Sequence, residues 1–281
     1  MLSIVLFFLP ILVLSTYNQT LGQEYWLATT VAYCASSNLL SWNVPPVTAM
    51  YPSVSDIRVY QNTSTDNQAY LAYNPSTTTI YLIFRGSMDL SIENWVFQDL
   101  NFFKTSYPKC TNCNVHEGFY QAYNNLPTST MINDLKSLKG KYPNAKVVIS
   151  GHSLGGAMSN FAYIDACDAL GQVDLFITFG GPRVGDSTFA AYLSTKSCGV
   201  TEKIRVTHYH DPVPHCPPTI FGFQHAVEEV WYDEGSTTYV SCPQPEQANC
   251  SYQVSLLQYN VDDHVTYLNF NQKAQTSLCS T

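Results

Sequence analysis

Residues 146–156 read KVVISGHSLGG: a short β-branched run, Lys146–Ser150, then a serine set between Gly151 and Gly155. The residues that follow, Leu154–Leu170, are small and apolar and read as a helix. Asp174–Phe179 is again strand-like, Ser187–Thr195 helical, and Lys203–Tyr209 strand-like. Strands alternating with helices at this pitch build a largely parallel sheet with helices on its faces. Thr79–Phe84 (TIYLIF) belongs to the same sheet, because a strand buried on both faces needs a continuous apolar run. Further upstream the pattern predicts strands over Ile57–Asn62 and Ala69–Asn74 and a helix over Tyr120–Lys139. It also predicts an opening helix over Glu24–Leu39, with Leu27, Val31 and Cys34 on one face. No internal repeat and no low-complexity linker interrupts the pattern. A single α/β domain over residues 17–281 is the economical expectation.

Composition narrows the class. The 281 residues are 45% hydrophobic and 12% charged, enough for a sizeable core and too little charge for a disordered chain. A formal charge of −8 without any basic run excludes a nucleic-acid surface, which needs clustered Lys and Arg. The first residues, MLSIVLFFLPILVLST, form an apolar run with small residues at its end and no basic segment before it. Interrupted by Pro10, it is too short for a comfortable membrane span and reads as a signal peptide, residues 1–16, with cleavage between Ser15 and Gly22. No second apolar stretch approaches spanning length, so no stable membrane span is expected.

Nine cysteines behind such a leader point to an oxidising compartment and a secreted protein. Cys110 and Cys113 sit in KCTNC, Cys242 and Cys250 bracket a Pro- and Gln-rich loop, and Cys34 and Cys279 lie near the two chain ends. These pairs would make two local loops and one terminal staple. Cys167, Cys198 and Cys216 remain, so at least one thiol stays unbridged. A zinc site at Cys110 and Cys113 would need a second Cys/His pair of suitable spacing, and none follows; no metal is expected. Glycosylation sequons stand at Asn18, Asn62 and Asn249.

The serine at the strand–helix junction is the candidate nucleophile. A serine hydroxyl attacks only when exposed, aligned and relieved of its proton. A sharp strand–turn–helix presents Ser153 at the C-terminal edge of the sheet, and the turn demands very small neighbours, which Gly151 and Gly155 supply. The helix from Leu154 points its N-terminal amides at the same place, favouring developing negative charge. His152 reads as a packed, hydrogen-bonded neighbour without a direct chemical role.

In an architecture of this kind an acid and then a histidine follow the serine, on loops beyond later strands. Asp174 begins a strand and is at the wrong edge, while Asp165 and Asp168 lie on the helix after Ser153. Asp211 follows KIRVTHY directly and precedes Pro212, which makes it the best placed acid; Asp186 is second. Among the histidines after Asp211, His215 is too close in sequence to fold back on it, and His225 precedes the strand-like AVEEVWY. His264, in VDDHVTYL near the chain end, is the candidate base, and Asp211 would hold its tautomer. Asp262 and Asp263 read as loop or helix-cap residues. The oxyanion donors expected are the Leu154 N–H and, from the turn FRGS (Phe84–Ser87) after an earlier strand, Ser87.

These motifs together resemble the class 3 lipases, the fungal triacylglycerol lipase family that also contains feruloyl esterases. The matching segments are FRGS with Asn94-Trp95, VHEGFYQAY (Val115–Tyr123), SGHSLGGAMSN and FGGPRVGD (Phe179–Asp186). They continue with IRVTHYHDPVPHCPP (Ile204–Pro218), FGFQHAVEEVWY and DDHVTYL, in family order across nearly the whole mature chain. The resemblance implies an α/β-hydrolase fold: a mostly parallel central sheet flanked by helices, with a short lid after the oxyanion strand. It implies Ser153, Asp211 and His264 as triad, Ser87 and Leu154 as oxyanion donors, and bridges Cys34–Cys279, Cys110–Cys113 and Cys242–Cys250. Cys167, Cys198 and Cys216 have no family role that maps onto them, so a fourth bridge stays unassigned. His116, Arg85 and Arg183 belong to family motifs and read as structural groups. The implied lid is MDLSIENW, Met88–Trp95, whose Met88, Leu90, Ile92 and Trp95 would cover the serine while Asp89 and Glu93 face water.

The function so implied is a secreted, monomeric serine hydrolase cleaving lipid esters at an oil–water interface, without a cofactor. A feruloyl esterase or a phospholipase A-type esterase would use the same site. A catalytically silent lipid- or partner-binding relative would typically lack a triad or oxyanion residue, and this chain retains all of them.

Overall fold

The computed structural model describes residues 17–45, 47–88, 102–199 and 202–279. The leader, residues 1–16, and Leu90, Ile92 and Trp95 of the expected lid lie outside the described residues. Met88 is described, and its side chain is exposed.

Position of the site follows from one eight-stranded sheet. Its strands are β1 (Ser55–Asn62), β2 (Asn67–Asn74), β3 (Thr79–Phe84), β4 (Lys146–His152), β5 (Leu175–Phe179), β6 (Glu202–His208), β7 (Glu228–Tyr232) and β8 (Tyr239–Cys242), and they stand side by side in that order. Strands β3 to β7 run parallel. The edges, β1, β2 and β8, are antiparallel to their neighbours. Parallel neighbours need crossovers, and helices supply most of them. Helices α2 (Glu117–Asn124) and α3 (Thr128–Lys141) lie between β3 and β4, α4 (Leu154–Leu170) between β4 and β5, and α5 (Ser187–Thr195) between β5 and β6. An opening helix (Gln19–Thr30), here α1, comes before the sheet.

Alternation along the central strands feeds two cores. Ile80, Leu82, Phe84, Val147 and Ile149 pack in a cluster with Phe119, Leu135 and Phe161 of α2, α3 and α4. Tyr81, Ile83 and Val148 pack in a second cluster with Trp26 of α1 and Tyr267 near the chain end. Both faces are therefore covered, the physical reason that β3 is buried at every position.

Two helices depart from the sequence expectation. The predicted Glu24–Leu39 helix begins earlier, at Gln19, because the Asn18 side chain accepts from the Leu21 amide at 3.0 Å and caps it. It also stops earlier: a 3₁₀ turn over Val31–Tyr33 leads into extended Cys34, and a separate short helix covers Ser36–Leu40. Cys34 is bonded to Cys279, a tertiary constraint that no local pattern reports. The predicted Tyr120–Lys139 helix is two helices, α2 and α3, divided at Pro127, whose ring disfavours helix in the residue before it. Helix α3 also passes through Gly140 to end at Lys141.

Disulfides join Cys34–Cys279, Cys110–Cys113 and Cys242–Cys250, and a further bond joins Cys167–Cys198. The last pair was left open by the sequence, since only the packed fold brings the end of α4 within 5.3 Å (Cα–Cα) of the loop after α5. Cys216 is buried and keeps its thiol, which burial pushes up to about 12. Glu229 lies against Cys242 and Cys250, but these sulfurs are bonded to each other and offer no thiolate to a metal. Of the sequon residues, Asn18 and Asn249 are exposed, whereas the Asn62 side-chain amide donates to the Asn125 carbonyl at 2.9 Å. Among the described residues no helix is long and apolar enough to cross a membrane.

Candidate active site

Strand β4 ends at His152 and α4 begins at Leu154, which leaves Ser153 alone in the turn. Its φ of 58° and ψ of −128° put a non-glycine residue in a sparsely populated region, at a cost of about 1–3 kcal/mol. Small neighbours permit the turn. A Cβ on Gly155 would lie 2.1 Å from the Phe84 carbonyl oxygen, and one on Gly151 would lie 2.3 Å from the Gly155 carbonyl oxygen. Any side chain at either position would push the turn off the sheet. The first-turn amides of α4, that of Leu154 among them, lack partners within the helix and lie at its Ser153 end.

The turn after β3 meets this one directly. A Cβ on Gly86 would fall 2.9 Å from the Ser153 Cβ, so the segment carrying Ser87 borders the serine. Arg85 anchors that segment: its backbone N–H donates to the Gln68 carbonyl at 2.9 Å, and its guanidinium pairs with Asp66 at 2.6 Å. This accords with a structural reading of Arg85. His116 is likewise structural, accepting from the Phe119 amide at 3.3 Å to cap α2.

Asp211 stands in the loop beyond β6, and His264 closes a helical turn, Val261–His264, begun by the Asn260 side-chain cap. The two come together although far apart in sequence. His264 Nδ1 lies 2.9 Å from Asp211 Oδ2 and 3.0 Å from Oδ1. The Tyr267 hydroxyl donates to Oδ2, and the Val213 amide donates to Oδ1 at 2.8 Å. Burial pushes the Asp211 carboxyl up, but the charge of His264 and these hydrogen bonds outweigh it and hold the group below its ordinary value. An ionised carboxylate only accepts, so Nδ1 is the donor toward Asp211, and in the neutral ring Nε2 is then the lone pair. That Nε2 is buried and has no hydrogen-bond partner among the described residues. A buried acceptor left unpaired is costly, and here it is the atom able to take a proton.

Gly180 and Tyr267 belong to this centre and were not singled out from sequence. Gly180 has a φ of +54°, and a Cβ there would lie 2.8 Å from both Asp211 Oδ2 and the Tyr267 hydroxyl. The signal for both was present in FGGPRVGD and DDHVTYL, but their roles depend on contacts the motifs do not describe.

The remaining acids and histidines have other duties. Asp186 caps α5 through the Phe189 amide at 2.9 Å and accepts from the Asn114 amide at 3.0 Å. Asp174 accepts from the Val147 amide at 2.7 Å, and Asp165 and Asp168 pair with Lys109 at 2.7 and 2.8 Å. Asp262 and Asp263 lie in the first turn of the helix that ends in His264. Arg183 pairs with Glu246 at 2.8 Å, inside the loop closed by Cys242–Cys250. His225 donates from Nε2 to the Pro214 carbonyl at 2.7 Å, and the His215 ring lies tilted against Tyr259 with ring centroids 4.8 Å apart.

Three buried histidines make the fold acid-sensitive. Burial, aided by the His264 charge, takes His152 down to about 3; burial, aided by Arg183, takes His215 down to about 4. Burial and Arg205 hold His225 well below its ordinary value. Below the unfolded histidine value of about 6.5, the unfolded chain binds protons that the folded chain refuses, so stability falls as pH drops toward the folded values. The urea midpoint is expected to decline steadily from about pH 7 to about pH 5, a window that carboxylates titrating lower would leave flat.

A parallel sheet with a serine on a strained strand–helix turn, an acid beyond a later strand and a histidine near the chain end defines an α/β-hydrolase. The sequence matches the family model for the class 3 lipases over residues 81–221. It is 37% identical over 237 residues to a lipase of Rhizomucor miehei, a match covering 81% of this chain and 62% of that protein. It is 35% identical over 173 residues to secreted mono- and diacylglycerol lipase 1 of Fusarium solani, covering 62% of this chain and 50% of that one. The fold is similar to the solved structure of a triacylglycerol lipase whose catalytic centre is a serine protease triad. That likeness has a TM-score of 0.77 at 30% identity and covers 95% of this chain and 99% of the other. The chain belongs to the class 3 lipase family. It spans 62% and 50% of the length of the two curated relatives.

Proposed function

We propose that this chain is a secreted ester hydrolase acting on acylglycerols, with Ser153 as nucleophile, His264 as base and Asp211 as the acid that orients it. The observation that carries the reading is the buried His264 Nε2, unpartnered among the described residues, on a ring held through Nδ1 by both Asp211 oxygens. In the proposed reaction the Ser153 Oγ attacks the acyl carbonyl and its proton passes to His264 Nε2. The carbonyl oxygen, now an anion, takes hydrogen bonds from the Leu154 and Ser87 N–H groups. Collapse expels the alcohol, which receives the proton from Nε2, and an acyl-serine remains. Water, deprotonated by the same nitrogen, releases the acid and restores the serine.

A lipid substrate is supported by exposed apolar side chains on the segments that carry the site. The segments that leave Asp211 and lead into His264 expose adjacent apolar pairs, with Ile220 85% exposed beside Phe221 and Leu257 98% exposed beside Leu256. Adjacent apolar side chains left in water can be received by an apolar phase. The expected lid, Met88–Trp95, interleaves apolar with polar and acidic residues and fits the same interface. The leader and the disulfides fit export, with residues 17–281 as the mature domain.

Rates on triolein, phosphatidylcholine and methyl ferulate test the substrate class. Triolein should be hydrolysed fastest, and its rate should rise steeply once the ester exceeds its solubility. Preference for methyl ferulate would make the chain a feruloyl esterase, and preference for phosphatidylcholine a phospholipase. Smooth saturation on triolein would remove the lid from the mechanism, and no turnover of any ester would leave a lipid-binding relative.

A further inference from the structure

The wall behind Ser153 holds a directional chain of hydrogen bonds. His152 Nε2 lies 2.8 Å from the main-chain carbonyl oxygen of His264. A carbonyl only accepts, so Nε2 carries the ring proton. Burial keeps this ring neutral, with a pKa down at about 3, and Nδ1 is therefore a bare lone pair. The Tyr33 hydroxyl, 2.6 Å from Nδ1, must donate to it. Its oxygen in turn accepts from the Gly86 N–H at 3.1 Å. Every polar group here has its direction assigned: Gly86 N–H to Tyr33, Tyr33 O–H to His152, His152 N–H to His264. Tyr33, His152 and His264 are all buried, so water does not compete for these bonds.

We propose that Tyr33 and His152 are positioning residues that lock the oxyanion turn and the base to one another across the serine turn. The inference rests on the hydrolase reading of Ser153, His264 and Ser87. Gly86 immediately precedes the candidate donor Ser87, His152 immediately precedes Ser153, and the third member of the chain is the base itself. Tyr33 is well placed to hold the other two. The carbonyls on either side of it, those of Ala32 and Cys34, accept from the Gln68 side-chain amide at 2.7 and 3.0 Å. The Gln68 carbonyl accepts the Arg85 N–H, so one residue of β2 grips Tyr33 and the oxyanion turn together. Filling space would require only the ring of Tyr33. Aiming the turn requires its hydroxyl, because that oxygen is what the Gly86 amide binds. Oxyanion donors act through their placement around charge that exists only in the transition state, so misplacing them costs rate more than binding.

Tyr33→Phe keeps the ring and removes both bonds. On soluble p-nitrophenyl butyrate it is expected to lower kcat by about 10–100-fold while KM stays within about twofold. Affinity for butaneboronic acid should fall by a similar factor. There the boron takes the Ser153 Oγ lone pair, the serine proton goes to His264 Nε2, and a boronate hydroxyl occupies the oxyanion position. His152→Asn keeps an acceptor for Tyr33 and loses the donor to His264, whereas His152→Gln does the reverse. Combining Tyr33→Phe with His152→Asn should cost less than the product of the single effects, as expected within one network. If Tm falls but kcat and boronate affinity, measured well below Tm, stay at wild-type values, the pair only fills space and the proposal is overturned. Should Tyr33→Phe not fold, His152→Gln puts the same question from the other end of the chain. A wild-type protein that turns over no ester and takes no organophosphate label at Ser153 would instead overturn the hydrolase reading, and this inference with it.

Discussion

Ser153→Ala is expected to abolish ester hydrolysis, lowering kcat by about 10⁵-fold or more while the fold persists. The substitution removes the only atom proposed to bond the acyl carbon. What remains is the oxyanion site and substrate binding, which in serine hydrolases retain only a small part of the rate. The fold should persist for a local reason. The serine side chain makes no capping hydrogen bond at the start of α4, and alanine meets the same backbone strain as serine at φ 58°. Thermal unfolding followed by circular dichroism should therefore give a transition near that of the wild type. Hydrolysis surviving in a folded Ser153→Ala protein would sink the mechanism, because no second nucleophile is proposed.

Asp211→Asn should lower kcat by about 10³–10⁴-fold with little change in KM. The carboxylate oxygens accept from His264 Nδ1, from the Tyr267 hydroxyl and from the Val213 amide. Asparagine offers one acceptor oxygen where the aspartate offers two, so its NH₂ must face one of these donors or turn toward His264. If it turns toward the histidine, Nδ1 becomes the acceptor and the proton moves to Nε2, which then cannot take one from serine. If it faces Val213 or Tyr267, a buried donor loses its partner, at about 1–3 kcal/mol of stability. Steady-state kinetics on a soluble ester, with the rate of organophosphate labelling at Ser153, reads the first effect; urea unfolding reads the second. Activity within tenfold of wild type would mean that some other carboxylate orients His264.

Much of this architecture was legible because it is written in near neighbours. The alternation from Lys146 to Tyr209 demanded a parallel sheet, and β4, α4, β5, α5 and β6 lie within a residue or two of where that pattern put them. The two helices that differ from expectation fail at points governed by more than periodicity: a cap at Asn18, a proline at Pro127 and a bond from Cys34 to the far end of the chain. Asp211 and Asp186 both follow strands, and the sequence ranked Asp211 first because it leaves its strand directly before Pro212. The structure puts Asp211 against His264, while Asp186 is occupied in holding the start of α5.

The serine turn is the part that sequence determined by itself. Gly151, Ser153 and Gly155 lie within five consecutive residues, and the steric demand that selects them acts over that same distance. Alternating strands and helices are local in the same sense, since each element is chosen by the spacing of its own apolar residues. Tertiary structure decided the partnerships: Cys167 with Cys198, Tyr267 with Asp211, and Tyr33 with both Gly86 and His152. Tyr33 lies 119 positions from His152, so no window along the chain contains both. Only the packing of α1 and the segment after it against the sheet brings that hydroxyl to the back of the serine turn, where burial makes its hydrogen bonds count.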